Sequence, residues 1–253
     1  MANASDPLAS RSIGWAIDLG NTRIKLGRFV DGKLREYHTW PNAQQEEALA
    51  WLQGQPGARY ALLQTAAPSL DWRGTLSTQG NVYVYGVGAP CPLTIEYETP
   101  STLGHDRLAA AVGAHAIYPA CDLLILDIGT CITYEYVSAD SAYQGGNISP
   151  GLDMRLKAMH AFTGKLPLVT RRIPDSPIGV STQTAMQNGA IRGAAAEITQ
   201  HIVAFRQNHP QGRVLVCGGD VPFLRPLLPD GLIHRPSLVV EGLANLQAYA
   251  QSK

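Results

Sequence analysis

Four short stretches combine residue types that can do phosphate chemistry. Asp18-Leu19-Gly20-Asn21-Thr22, followed by Lys25, sets a carboxylate, a conformationally free glycine and short polar side chains between two apolar runs. Such a turn can offer backbone N–H groups to phosphate oxygens while the carboxylate holds hydrated Mg2+. Lys25 would add positive charge toward the same oxygens. A plain hairpin turn uses the same residue types. Asp127-Ile128-Gly129-Thr130 repeats the order of acid, glycine and hydroxyl, and two such turns could grip a nucleotide from both sides. Cys217-Gly218-Gly219-Asp220 ends another apolar run with paired glycines, where a backbone can approach a flat ligand closely or simply turn. Gly104-His105-Asp106-Arg107 places an adjacent acid and base just after a glycine, at the start of an Ala-rich helix. A helix N-terminus favours an anion such as Asp106 and leaves Arg107 for a second anion. A capping aspartate beside a surface arginine is the alternative.

The elements that must position these turns repeat along the chain. AIDLGNTRIKLGRF from Ala16 has an echo in ILDIGTCITYEYV from Ile125, with Asp18 and Asp127 109 residues apart. That is about the length of a small domain. It predicts two similar α/β halves, 13–120 and 121–253, each opening with a hairpin. In the first half, strands are expected over Trp15–Ile17, Arg23–Val30 and Leu34–Thr39, and in RYALLQTA and NVYVYGV. NAQQEEALAWLQ reads as a helix capped by Asn42, and DRLAAAVGAHAIY as another. The second half has expected strands at Leu123–Leu126, Thr133–Val137 and RVLVCGGD, with helices at Leu152–Ala161, Thr182–Asn208 and EGLANLQAYAQ. Strands and helices mix throughout, which favours mixed sheets flanked by helices over an all-parallel sheet.

Composition narrows the function class. Lys plus Arg equals Asp plus Glu at 20 each, so no field of one sign awaits nucleic acid or an anionic membrane. Cys91, Cys121, Cys131 and Cys217 form no C-x-x-C pair and have no zinc spacing with the seven histidines, so they read as reduced thiols. The leader MANASDPLASRS has no apolar h-region and reads as a frayed start rather than a secretory signal. No apolar run approaches the ~18 residues of a membrane span. A cytoplasmic protein is expected.

The paired turns resemble those of the superfamily of sugar kinases, Hsp70 and actin, whose two ribonuclease-H-like halves hold ATP in a cleft between them. YETPSTLGHDRLAAAVGA from Tyr97, LDIGTCITYEYV from Leu126, GGNISPGL from Gly145, FTGKLP from Phe162, STQTAMQNGAIRG from Ser181 and PSLVVEGL from Pro236 are together similar to type III pantothenate kinases. The resemblance runs in order over residues 15–246, and LGxDR followed by GGxIxPG is its most specific part. It implies ATP-dependent phosphorylation of pantothenate to 4'-phosphopantothenate, the first step of coenzyme A biosynthesis, by in-line transfer. By resemblance, Asp106 is the base that accepts the hydroxyl proton. Tyr97, Gly104, His105, Asp106, Arg107 and Thr182 contact pantothenate, and the Arg107 fork suits a carboxylate or a bridging oxygen.

The same resemblance assigns Asp18, Leu19, Gly20, Asn21, Thr22, Arg23, Ile24 and Lys25 to the ATP phosphates, with Asp18 on Mg2+, and Thr130 to ATP as well. Asp127 matches the ligand of a monovalent cation, K+ or NH4+; service to Mg2+ or mere ordering of the turn is the alternative. A homodimer is implied, with Thr163 reaching the neighbouring subunit's site. Cys131 stands where DxGTAxT usually has alanine, and His105 fills the free position of LGxDR; neither removes a catalytic group. The family also contains Bvg accessory factors, so a non-catalytic regulatory protein is one alternative and a kinase of another small hydroxy acid a second. Retention of Asp18, Asp106, Arg107, Asp127 and Thr130 favours an enzyme.

Overall fold

The apolar run Trp15–Leu19 forms β1, buried at every position, the pattern of a strand covered on both faces. The computed structural model describes residues 14–57, 59–66, 68–86 and 88–253. The leader Met1–Ser12 and Ile13, the first residue of the expected 13–120 half, lie outside the described residues. β1 leads into β2 (Arg23–Val30) and β3 (Lys33–Pro41), an antiparallel meander. Its second turn is Asp31-Gly32, at φ 51° and 71°, the left-handed pair that a two-residue hairpin loop requires. Next come α1 (Gln45–Gln53), β4 (Arg59–Gln64), α2 (Trp72–Ser77) and β5 (Asn81–Val84). β4 runs parallel to β1, and β5 parallel to β4, giving a sheet of order β3-β2-β1-β4-β5. β6 (Thr94–Ile95) and α3 (His105–Ile117) follow.

The second half repeats this order. It contains β7 (Leu123–Ile128), β8 (Cys131–Val137), β9 (Ala142–Pro150), α4 (Leu152–Ala161), α5 (Thr182–Asn208), β10 (Arg213–Cys217), α6 (Val221–Leu224), β11 (Ile233–His234) and α7 (Leu238–Gln251). The six-stranded sheet has the order β6-β9-β8-β7-β10-β11; from β9 to β11 it repeats the order of the first sheet, with β10 parallel to β7 and β11 parallel to β10, and β6 adds in parallel along β9. Asp18 and Asp127 are each the penultimate residue of the matching strand, β1 and β7. The mixed-sheet α/β architecture is as expected.

By contacts, residues up to Ala120 group with Val137–Gln144 and Ser237–Lys253, and Cys121–Tyr136 groups with Gly145–Pro236. α7, which lies within 121–253, therefore packs in the first unit, on α3, β1 and β4. Leu238, Val240, Leu243 and Leu246 are buried there. Two glycines permit the approach: a Cβ on Gly242 would overlap the Ala109 carbonyl, and one on Gly113 the Leu238 carbonyl. In the second unit Ile191, Ile198, Ile202 and Phe205 form one stripe of α5 against Leu124, Leu126, Ile132 and Tyr134. α5 is opened by a capping box, in which Ser181 and Thr184 satisfy each other's backbone N–H groups.

Several local readings change; β6, α6 and β11, of two to four residues each, were not expected. Asn42 does not cap α1; Asn42–Gln44 is a 3-10 turn and Gln44 takes the cap position. α2 and β9 were not expected. The former is short and is started by Asp71, whose side chain accepts the Gly74 N–H. The latter is glycine-rich and lacks the β-branched run that marks a strand. All four cysteines are free. Among the described residues no helix is long and apolar enough to cross a membrane.

Candidate active site

The first cluster is built on the β1–β2 hairpin. Antiparallel register sets Asp18 opposite Lys25, and Lys25 Nζ stands 3.0 Å from Asp18 Oδ2. Asp18 is 2% exposed, so a buried carboxylate and its cation form the base of the turn. Leu19 and Ile24 are buried in the core, which leaves only their backbones for a ligand. Asn21, Thr22 and Arg23 are exposed, and the Gly20 N–H closes the turn on the Arg23 carbonyl at 3.0 Å.

Asn42, 22 residues along the chain, holds this turn from one side. Its Nδ2 donates to the Gly20 carbonyl at 2.5 Å and the Asn21 carbonyl at 3.2 Å, and its backbone N–H to the Thr22 carbonyl at 2.9 Å. Gln45 Nε2 donates in turn to Asn42 Oδ1 at 2.5 Å. Gln45 Oε1 accepts from the Ser69 N–H at 3.1 Å and from Trp72 Nε1 at 3.3 Å. In a planar trans peptide the N–H points opposite to the C=O. With the carbonyls of Gly20 and Asn21 drawn to Asn42, the N–H groups of Asn21 and Thr22 point away from it. Successive N–H groups presented in this way make an anion-binding concavity. Sequence reading missed Asn42 because the contact is non-local; no motif flags it.

The second cluster is the start of α3. Gly104 is the N-cap, and a Cβ on it would come 2.8 Å from Asp106 Oδ1. That oxygen accepts the Arg107 N–H at 2.9 Å, which fixes the carboxylate in the first turn, where the helix dipole favours it. The surface-arginine alternative fails: Arg107 is 6% exposed. Its guanidinium lies 5.9 Å from the centroid of the Tyr97 ring, and Tyr97 meets Tyr143 edge-on at 6.2 Å. His105 packs edge-on to Tyr85 at 5.5 Å. Burial pushes the Tyr85 phenol far above its usual range.

In the second unit three glycine turns meet. Asp127 sits beside Cys217 in parallel register. Gly218, at φ 99°, packs so closely that a Cβ would overlap the Asp127 carboxylate and the Ile128 backbone. The Asp220 N–H donates to the Ile128 carbonyl at 2.9 Å, and its carboxylate pairs with Arg171. From the other side the Gly151 N–H donates to the Thr130 carbonyl at 3.1 Å. A Cβ on Gly151 would overlap the Gly129 and Thr130 carbonyls.

Arg155 then ties down the strand end before Gly151. It donates from Nε to the Pro150 carbonyl at 2.8 Å, and from Nη2 to Ser149 Oγ at 2.6 Å and Glu197 Oε2 at 2.5 Å. Tyr134 donates to Glu197 Oε1 at 2.8 Å. Burial raises the Glu197 pKa, but hydrogen bonds from Arg155, Ser149 and Tyr134 outweigh it and hold the carboxyl below its usual range. Arg155, Glu197 and Tyr134 were not among the expected site residues; they act on the Thr130 turn through Gly151.

The remaining expected residues stand apart from these clusters in their bonding. Thr182 is the first residue of α5 and exposed. Thr163, also exposed, donates its hydroxyl to the Met159 carbonyl at 2.7 Å. Among the described residues no group of three or more His, Cys, Asp or Glu side chains could hold a metal ion. A cation at Asp18 or Asp127 would thus rest on at most two such side chains, with ligand oxygens and water, a donor set that suits Mg2+ carried with phosphates.

The sequence model of the type III pantothenate kinase family matches residues 15–204. The type III pantothenate kinase of Bacteroides fragilis is 38% identical over 240 residues, spanning 92% of this chain and 96% of its own. That of Phocaeicola vulgatus is 37% identical over 234 residues, with 92% and 97% covered. In three dimensions the chain is similar to a Baf family protein from Campylobacter jejuni, with TM-score 0.57 at 21% identity over 92% of this chain and 96% of that one. It is also similar to component A of (R)-2-hydroxyglutaryl-CoA dehydratase from Acidaminococcus fermentans, with TM-score 0.51 at 16% identity, covering 95% and 99%. At these identities the structural likeness is one of fold.

Proposed function

We infer how the residues divide the work from the premise that this chain belongs to the type III pantothenate kinase family. It is a kinase of the actin-like ATPase fold that uses ATP to phosphorylate pantothenate. The observation that carries the site reading is the hairpin turn whose carbonyls are taken by Asn42. The N–H groups of Asn21 and Thr22 cradle the ATP phosphates, Lys25 adds charge, and Asp18 binds Mg2+, which supplies charge neutralisation on the phosphoryl oxygens. Leu19, Gly20, Arg23 and Ile24 complete that turn, and Thr130 contacts ATP as well.

Asp106 is the base. Its Oδ1 is fixed by the Arg107 N–H, and Oδ2 accepts the proton of the pantothenate hydroxyl as that oxygen attacks the γ-phosphorus in line. Arg107, desolvated beside Tyr97, binds the pantothenate carboxylate or a bridging oxygen; a fork held in place pairs best with such groups. Gly104, His105 and Thr182 are the further substrate contacts. Asp127 holds K+ or NH4+. Residues 13–120 and 121–253 are the two repeats.

A homodimer is supported by exposed apolar side chains of the second unit, Ile148, Phe162, Leu168, Ile178 and Val180, which are 62–92% exposed. Thr163, next to Phe162, would reach the partner's site. Free cysteines and the use of ATP support a cytoplasmic location.

The test is to incubate purified protein with MgATP, K+ and pantothenate and to follow ADP and 4'-phosphopantothenate by mass spectrometry. Equal formation of both supports the reading. ADP formed only with a different small hydroxy acid would move the substrate, and ATP binding without turnover would move the role.

A further inference from the structure

The connection from α4 to α5, residues 162–181, forms neither helix nor strand. Irregular connections of that length are uncommon and usually functional. Its middle is nevertheless fixed. Val169 is buried against Leu156, Met186 and Ala190. Side chains of α5 then hold the backbone: Gln187 Nε2 donates to the Thr170 carbonyl at 2.9 Å, and Arg192 Nη2 to the Pro174 carbonyl at 2.9 Å. Arg171 stands between these anchors, so its guanidinium is delivered to a set place. There it donates from Nη1 to Asp220 Oδ1 and lies 5.3 Å from the centroid of the Phe223 ring. Its Nε is 3.9 Å from Asp153 Oδ1, a looser pairing.

Asp220 shows what this contact does. It occupies the N-cap position of α6, yet its side chain caps no helix N–H. An aspartate there ordinarily bonds the N–H of the second or third helical residue. The second is Pro222, which has no N–H, and the carboxylate is turned to Arg171 instead. The Asp220 N–H donates to the Ile128 carbonyl at 2.9 Å, and Gly218 leaves no room for a Cβ beside the Asp127 carboxylate. A shift of Asp220 is therefore passed to the turn that carries Asp127 and Thr130. The ion pair itself adds little to stability, since the Arg171 side chain is 37% exposed. We propose that Arg171 is a positioning residue for nucleotide binding: through Asp220 it holds the 218–220 turn against the 127–130 turn. This role rests on the assignment of Asp127 and Thr130 to the cation and ATP.

The test is a double-mutant cycle on the full chain with Arg171→Gln, Asp220→Asn and the two combined. The dissociation constant of MgATP in KCl is measured by titration calorimetry, so the readout does not depend on the second substrate. Expected is a roughly 3- to 30-fold weakening in each single variant. The double variant should be no weaker than either, because both changes remove the same contact. Arg171→Lys, which keeps a cation, should recover part of the loss. The kcat at saturating ATP should stay within about twofold and the melting temperature within about 4 °C. Unchanged ATP affinity in Arg171→Gln would overturn the proposal. So would additive losses in the double variant, which would mean that Arg171 reaches the nucleotide by another route. Asp127→Asn in the same titration tests the underlying assignment by itself. Lowered affinity there beside an unaffected Arg171→Gln removes Arg171 alone; unaltered affinity in Asp127→Asn removes the Asp127 turn from the site and the role of Arg171 with it.

Discussion

Replacing Asn42 with alanine separates a turn held ready for phosphate from one that ATP must organise itself. The substitution removes two side-chain hydrogen bonds, to the carbonyls of Gly20 and Asn21, and strips Gln45 Nε2 of its acceptor. At about 0.5–1.5 kcal/mol net per bond, the loss of the three bonds is roughly 1.5–4.5 kcal/mol. If 1–2 kcal/mol of it must be regained when ATP orders the turn, nucleotide affinity falls roughly 5- to 30-fold. The KM for ATP, measured by coupled ADP release, should rise by that factor. The KM for pantothenate should stay within about twofold, because Asp106 and Arg107 are untouched. Urea unfolding run in parallel should show a stability loss of about 1.5–4.5 kcal/mol. An unchanged KM for ATP beside that stability loss would refute the reasoning: Asn42 would then be a structural residue and the orientation of the turn would owe nothing to it.

Gly151→Ala pushes a methyl group into the Gly129 and Thr130 carbonyls. It should cost about 1–3 kcal/mol in urea unfolding and raise the KM for ATP through Thr130. Gly242→Ala forces α7 away from Ala109; a similar overpacking cost should lower the melting temperature by roughly 2–10 °C in a thermal scan. His115, on the last turn of α3, has Nε2 3.4 Å from Ser141 Oγ, and burial holds its imidazole below the usual 6.5. The unfolded chain therefore takes up its proton first. His115's contribution is intact above pH 6.5 and is lost as pH falls from there toward the lowered folded-state value. Calorimetry across that window should show a shallower decline of melting temperature in His115→Gln, and an identical decline would remove His115 as a source.

The turns and the strands that carry them were legible because chemistry and burial coincide there. β1 and β7 are continuous apolar runs broken only by their penultimate aspartates, Asp18 and Asp127, and the Asp-x-Gly echo between them corresponds to a repeated strand order. α5 was legible from its apolar stripe and from Ser181 before it. What stayed hidden depends on contacts between distant parts of the chain. Asn42 has the residue type of a helix cap, and only the folded hairpin brings Gly20 within its reach. Arg107 looks like a surface residue in a helix first turn; the Tyr97 ring beside it comes from the segment before the helix. α7 reads as the closing helix of the second half, yet its crossing with α3 depends on Gly113 and Gly242, 129 residues apart. β9 is a strand through pairing rather than propensity, since its sequence is AYQGGNISP.

The most direct measurement is the turnover of Asp106→Asn under MgATP, K+ and pantothenate, with ATP affinity determined on the same sample. Asparagine keeps the size and the acceptor oxygen that meets the Arg107 N–H but cannot take up the hydroxyl proton. Expected is a fall in kcat of roughly a hundred- to ten-thousand-fold with ATP affinity unchanged within about threefold. Turnover near that of the unaltered chain, with the same ATP affinity, would contradict the assignment of Asp106 as the base.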